Sequence, residues 1–122
     1  KGHIARAALE AIALRSRDII LEMQKDAGVD FKTLKVDGGA SNNDLLMQIQ
    51  SDVLGAEVIR PEETETTALG AAFLAGLAVG VWPSIQALEA MWQSDRVFTP
   101  ATNESTKEII NLWHERINRI LS

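Results

Sequence analysis

Two adjacent glycines stand where a short apolar strand gives way to a helix. The run Val36-Asp37-Gly38-Gly39-Ala40-Ser41-Asn42-Asn43-Asp44-Leu45-Leu46 joins strand residues (Leu34, Val36) to an amphipathic segment opened by asparagines. Glycine has no Cβ, so a pair lets the main chain lie flat against a ligand and take backbone angles closed to other residues. The helix behind it offers unpaired N–H donors at its first turn. Strand, glycine pair and helix start recur where a nucleotide is held, and equally as a plain connection between elements. Gly38, Gly39 and Ala40 would supply surface without bulk, and Asn43 would offer its amide to a base edge or a ribose.

The local charge narrows that chemistry. Asp37 and Asp44 flank the glycines, and Lys35 is the only cation nearby. A triphosphate tail would be repelled there unless a metal intervened, so the corner is expected to take the nucleoside end and at most the α-phosphate. Neither a Gly-x-x-x-x-Gly-Lys-Ser/Thr loop nor a Gly-x-Gly-x-x-Gly fingerprint occurs. Asn42 reads as a helix cap and Asp37 as a solvated turn residue. The acids of Glu62-Glu63-Thr64-Glu65 stand where negative charge favours a helix start. His3 and His114 read as surface residues, without partners spaced for a metal or a nucleophile. No Ser-His-Asp, Cys-His or metal-ligand set can be assembled, so the residues point to binding rather than bond-making.

Periodicity supplies the elements that must position the corner. Ala5, Leu9, Ile12, Ser16, Ile19, Ile20 and Met23 recur at helical spacing between His3 and Lys25, and Gly28 ends that helix. Thr33 to Val36 is a strand. Ser41 or Asn42 caps a helix running to Leu54 with Leu45, Leu46, Ile49 and Val53 inward, and Gly55 stops it. Glu57-Val58-Ile59 is a second strand, closed by Pro61. A third helix spans Thr66 to Gly80, with Ala72, Gly76 and Gly80 as a stripe of small residues for close packing. A short helix covers Ser84 to Met91, and Val97-Phe98 is extended. A last helix runs from Glu104 to Leu121, with Ile109, Ile110, Trp113, Ile117, Ile120 and Leu121 inward. Strands joined by helices imply an α/β fold, helix-rich because the strands are few.

Composition excludes several classes. The chain has 122 residues, 46% hydrophobic and 24% charged, within ordinary globular usage. It has no cysteine, which removes disulfides and thiolate zinc sites. A net charge of −5 argues against a nucleic-acid surface. The longest uncharged apolar run, Ala68 to Trp82, is 15 residues, short of the ~20 a membrane span needs. A cytoplasmic protein is expected.

Beyond these readings lies a longer resemblance. Val36-Asp37-Gly38-Gly39-Ala40, Asn43, Leu46-Met47-Gln48-Ile49-Gln50-Ser51-Asp52, Arg60-Pro61-Glu62 and Glu65-Thr66-Thr67-Ala68-Leu69-Gly70-Ala71-Ala72-Phe73-Leu74-Ala75-Gly76-Leu77-Ala78-Val79-Gly80-Val81-Trp82 stand in this order. With His3-Ile4-Ala5-Arg6-Ala7-Ala8-Leu9-Glu10 upstream, they resemble the FGGY carbohydrate kinases from His3 to Pro100 without obvious gaps. From Ala101 to Ser122 the likeness is loose. The resemblance implies that residues 1–122 are the C-terminal part of the family's second actin-like domain, on its adenosine-binding side, with 101–122 as a C-terminal helix. It implies a ribonuclease H-like architecture, a hinge nearby in which Gly70 or Gly76 could take part, and nucleotide contacts at Gly38, Gly39, Ala40 and Asn43. It also implies a chain cut, by design or by proteolysis, from a parent about four times longer. That parent would transfer phosphate from ATP, as its Mg²⁺ complex, to glycerol, and would be a homo-oligomer. The catalytic base, the phosphate clamps and the glycerol pocket would lie outside these residues, leaving them inactive alone. Two alternatives stay open: a sugar kinase for xylulose or gluconate, and a piece that acts as an assembly module, dimerising through exposed apolar faces.

Overall fold

Why the long first helix forms and where it stops are both local matters. In the computed structural model, which describes residues 1–101 and 103–121, helix α1 (Gly2–Ala27) ends at Gly28 in the left-handed region, φ 65°. Helix α2 (Asp44–Leu54) ends the same way at Gly55, φ 71°. These helices pack on each other, and Ala13 and Leu14 meet Leu46, Met47, Ile49 and Val53 in the core. Polar side chains reinforce the contact: the Arg17 Nε donates to the Val53 carbonyl at 2.8 Å, and the Gln50 amide to the Ala13 carbonyl at 3.3 Å.

The face that α1 buries is rotated from the expected one. Leu9, Ser16 and Ile20 are half-buried as expected, but Ala5, Ile12, Ile19 and Met23 are exposed. The helix carries two apolar stripes, and α2 covers only the one through Leu9, Ala13 and Leu14. Ile4 continues the uncovered stripe at 77% exposure.

Three strands form one sheet in the order β1-β2-β3. Strand β1 (Thr33–Lys35) runs parallel to β2 (Glu57–Pro61), with α2 as the crossover between them. Strand β3 (Ser94–Phe98) lies antiparallel to β2, pairing Phe98 with Val58 and Arg96 with Arg60. The sequence reading found only Val97-Phe98 of this strand. Its polar half, Ser94-Asp95-Arg96, is extended because β2 offers it a ladder, a tertiary effect that propensity does not register. Phe98 is 2% exposed and joins the core. Ser51 locks that end of the sheet, its hydroxyl bridging the carbonyls of Ala56 (2.8 Å) and Phe98 (2.9 Å).

Helix α3 (Thr66–Ala78) explains one of its glycines. A Cβ on Gly76 would lie 1.9 Å from the Trp82 ring, which stands edge-on to Phe73 with centroids 5.2 Å apart. Of the expected small-residue stripe, Gly76 alone is buried. Ala72 is exposed, and Gly80 lies beyond the helix in a left-handed turn, φ 78°. Helix α4 (Ile85–Glu89) is capped by Ser84, whose hydroxyl accepts from Ala87 N–H at 3.2 Å. Helix α5 (Glu104–Leu121) is tied to α1 where the Trp113 indole donates to Asp18 at 2.8 Å. Ile109, Ile110 and Trp113 pack on the core and Ile117 is half-buried. Ile120, expected inward, is 78% exposed because α5 has by then run past the core. The Leu121 side chain and Ser122 lie outside what is described. Among the described residues no helix is long and apolar enough to cross a membrane.

Candidate functional site

The glycine corner follows β1 and is closed from within. Gly38 has φ 78° and ψ 169°, a region essentially reserved to glycine. Its N–H donates to the Thr64 carbonyl at 2.9 Å, and its carbonyl accepts from both the N–H (3.0 Å) and the hydroxyl (2.7 Å) of buried Ser41. Residues Gly39–Asn42 thereby form a single 3₁₀ turn. The N–H of Gly38 is consumed by this scaffold. Those of Gly39 and Ala40 find no acceptor among the described residues. Both residues are exposed, and a Cβ on Gly39 would meet nothing within 4 Å. The left-handed turn therefore needs glycine at 38. None of the described residues needs it at 39.

The turn moves the start of α2 by one residue. Asn43, not Ser41 or Asn42, is the cap: its Oδ1 accepts from Leu46 N–H at 3.0 Å. Asn42 stays in the turn and donates from Nδ2 to the Thr64 hydroxyl at 3.4 Å. With Oδ1 occupied, Asn43 has its Nδ2 donors left for a ligand. Leu45, expected inward, is 47% exposed, because it lies about a quarter-turn off the Leu46–Ile49–Val53 stripe.

The charged neighbours behave differently from the expectation. The Asp37 carboxylate is not simply solvated, since it accepts from the Thr66 hydroxyl at 2.6 Å and ties the corner to the start of α3. Glu63 accepts from Glu65 N–H at 2.7 Å, whereas Glu65 itself makes no cap bond with its side chain. Lys35 lies over the Trp92 ring, 4.1 Å from its centroid. His114 is half-exposed, within 3.6 Å of Asp18.

Sequence reasoning missed Arg60. From β2 its Nη1 donates to the Ser41 carbonyl (3.0 Å) and to Asp44 (2.7 Å), while Nε and Nη2 grip one Asp95 oxygen at 2.8 and 2.6 Å. Arg96 shares Asp44 from β3. The Arg60 hydrogen bond holds the Asp44 carboxyl below its ordinary pKa, aided by the charge of Arg96, while burial works against both. Asp44 thus stabilises the start of α2 at neutral pH, and that contribution fades only in acid, as pH falls through the lowered value. The available signal was an arginine directly after the apolar pair Val58-Ile59 and before Pro61.

A cavity of about 730 Å³ opens between β1, α3 and α4, lined by Lys35, Phe73, Leu88, Met91 and Trp92 among others. It does not include residues 38–43. Among the described residues no group of three His, Cys, Asp or Glu side chains is placed to hold a metal ion.

Comparison with known proteins gives this geometry its setting. Residues 1–79 match the FGGY family of carbohydrate kinases, C-terminal domain. The chain belongs to that family. As part of an FGGY protein it is 58% identical over 120 residues to glycerol kinase of Nitratidesulfovibrio vulgaris and 54% identical to that of Deinococcus radiodurans. In each case 98% of this chain aligns with 24% of the relative, so the chain spans about a quarter of the length of the proteins it matches. The crystal structure of Plasmodium falciparum glycerol kinase with ADP superposes with a TM-score of 0.83 at 33% identity, over 98% of this chain and 24% of that one. Xylulose kinase from Lactobacillus acidophilus, with a TM-score of 0.77 at 22% identity, shares the fold. The α/β, helix-rich architecture is therefore that of the C-terminal portion of an FGGY kinase's actin-like domain.

Proposed function

We propose that this chain is the adenosine-binding part of an ATP-dependent glycerol kinase, the C-terminal portion of its second actin-like domain. The observation that carries the reading is the corner itself. Gly39 and Ala40 present two consecutive N–H groups, without an acceptor among the described residues, on a surface without bulk, and Asn43 adds its Nδ2 donors beside them. Such donors suit the acceptor atoms of a purine or a ribose. The glycerol kinase names of relatives above 50% identity support glycerol as acceptor, and the ADP in the Plasmodium structure supports the nucleotide.

Phosphoryl transfer depends on positioning and on stabilising charge at the γ-phosphate. The corner contributes the first of these, at the far end of the nucleotide. Three cations near it are engaged: Arg60 and Arg96 with Asp44, and Lys35 with Trp92. We assign the Mg²⁺ ion, the catalytic base and the glycerol pocket to other parts of the kinase polypeptide. This chain alone is expected to give no glycerol 3-phosphate above background with ATP, Mg²⁺ and glycerol. A polypeptide extended to the length of its relatives is expected to turn over. Phosphorylation of xylulose or gluconate in place of glycerol by the extended protein would overturn the acceptor assignment.

A second reading concerns assembly. The uncovered stripe Ile4, Ile12, Ile19 and Met23 on α1 is apolar surface of the kind that drives association. The chain by itself is expected to self-associate through it as concentration rises. Sedimentation velocity checks this, and a monomer at all accessible concentrations would end the idea.

A further inference from the structure

We propose that Arg60 is the positioning residue of the nucleoside corner, an inference that rests on the adenosine reading above. The Arg60 side chain is 11% exposed, and its guanidinium holds three elements at once. It grips Asp95 on β3 through Nε and Nη2, the Ser41 carbonyl in the 3₁₀ turn, and the Asp44 carboxylate on the first turn of α2. Its Cζ lies 5.5 Å from the centre of the buried Phe98 ring.

The corner has an entry and an exit. At the entry, main chain holds main chain: Gly38 N–H donates to the Thr64 carbonyl. At the exit, the Ser41 carbonyl lies between Ala40 and the Asn43 cap, and a side chain holds it. Arg60 therefore fixes the relative placement of the Ala40 N–H and the Asn43 amide, the two kinds of donor a nucleoside would meet.

This role depends on shape rather than charge. Arg60, Arg96, Asp44 and Asp95 together are two cations and two carboxylates, so the cluster adds little net field at the corner. A guanidinium is a planar fork that can serve a carboxylate edge and a carbonyl together, whereas an ammonium is a point charge on a flexible stem. Arg60→Lys keeps the charge and loses the fork.

The test is a titration of the ¹⁵N-labelled chain with adenosine and, separately, with ADP. Wild type, Arg60→Lys and Asp95→Asn are compared well below their melting temperatures. Asp95 is half in water, so its variant loosens the fork while leaving the core intact. In the unliganded variants the amides of Ser41, Asn42 and Asn43 are expected to move. Arg60→Lys is expected to weaken both ligands by the same factor, on the order of tenfold, and Asp95→Asn by a smaller shared factor. Unchanged affinity in both variants would overturn the proposal. So would a loss confined to ADP, since that would mark an action on phosphate charge. Silence of the wild-type corner toward both ligands would bring down the adenosine reading first, and this inference with it.

Discussion

Gly39→Val is expected to abolish detectable ADP binding while leaving the urea midpoint of the chain almost unchanged. Gly39 has no left-handed φ, and a Cβ there would meet nothing within 4 Å. A larger side chain would therefore be felt only by a molecule laid against the turn. The stability change should stay within about 0.5 kcal/mol, as at other open surface positions. The loss of affinity should exceed about tenfold, or ~1.4 kcal/mol. Gly38→Ala is the counterpart. Its backbone angles of 78° and 169° are closed to alanine, so it should cost about 1–3 kcal/mol of stability through strain. Adjacent glycines would thus fail in different assays, one in titration and the other in denaturation. Unchanged ADP affinity in Gly39→Val would remove the argument that the bare surface at 39 serves a ligand.

Phe98→Ala is expected to cost about 3–5 kcal/mol, the usual range for emptying a buried aromatic site. Phe98 is 2% exposed, pairs across the sheet with Val58, and carries the Arg60 and Arg96 guanidinium groups 5.5 and 4.8 Å from its ring centre. The β3 register and the arginine cluster both lean on it. Against a typical total of 5–15 kcal/mol, such a loss leaves a small α/β chain close to unfolding. Urea denaturation followed by far-UV circular dichroism measures it. A change below about 1 kcal/mol would show that the ring is not the core element described here.

Much of this architecture was legible in the residues. Gly28 and Gly55 announced the ends of α1 and α2 because a left-handed residue after the last turn is glycine's local signature. The strand–glycine–helix corner was visible for the same reason. What the sequence hid depends on partners distant along the chain. Two apolar stripes on α1 have equal periodicity, and only the arrival of α2 decides that Leu9, Ala13 and Leu14 are covered while Ile12, Ile19 and Met23 are not. Asn42 and Asn43 are equally good caps in isolation. The 3₁₀ turn closed by Ser41 onto Gly38 moves the helix start to the second of them. Asp37 meets Thr66 from 29 residues away, and Arg60 meets Asp95 from 35. No local pattern carries such pairings, so the residues that hold the corner were harder to see than the corner itself.

The most direct measurement is a crystal structure, with ADP bound, of the polypeptide extended to the length of its FGGY relatives. The purine or its ribose is expected in van der Waals contact with Gly39, at ~4 Å, and accepting hydrogen bonds from the Ala40 N–H or the Asn43 amide. A nucleotide whose base and ribose lie away from residues 38–43, for instance in the cavity beside Trp92, would contradict the account.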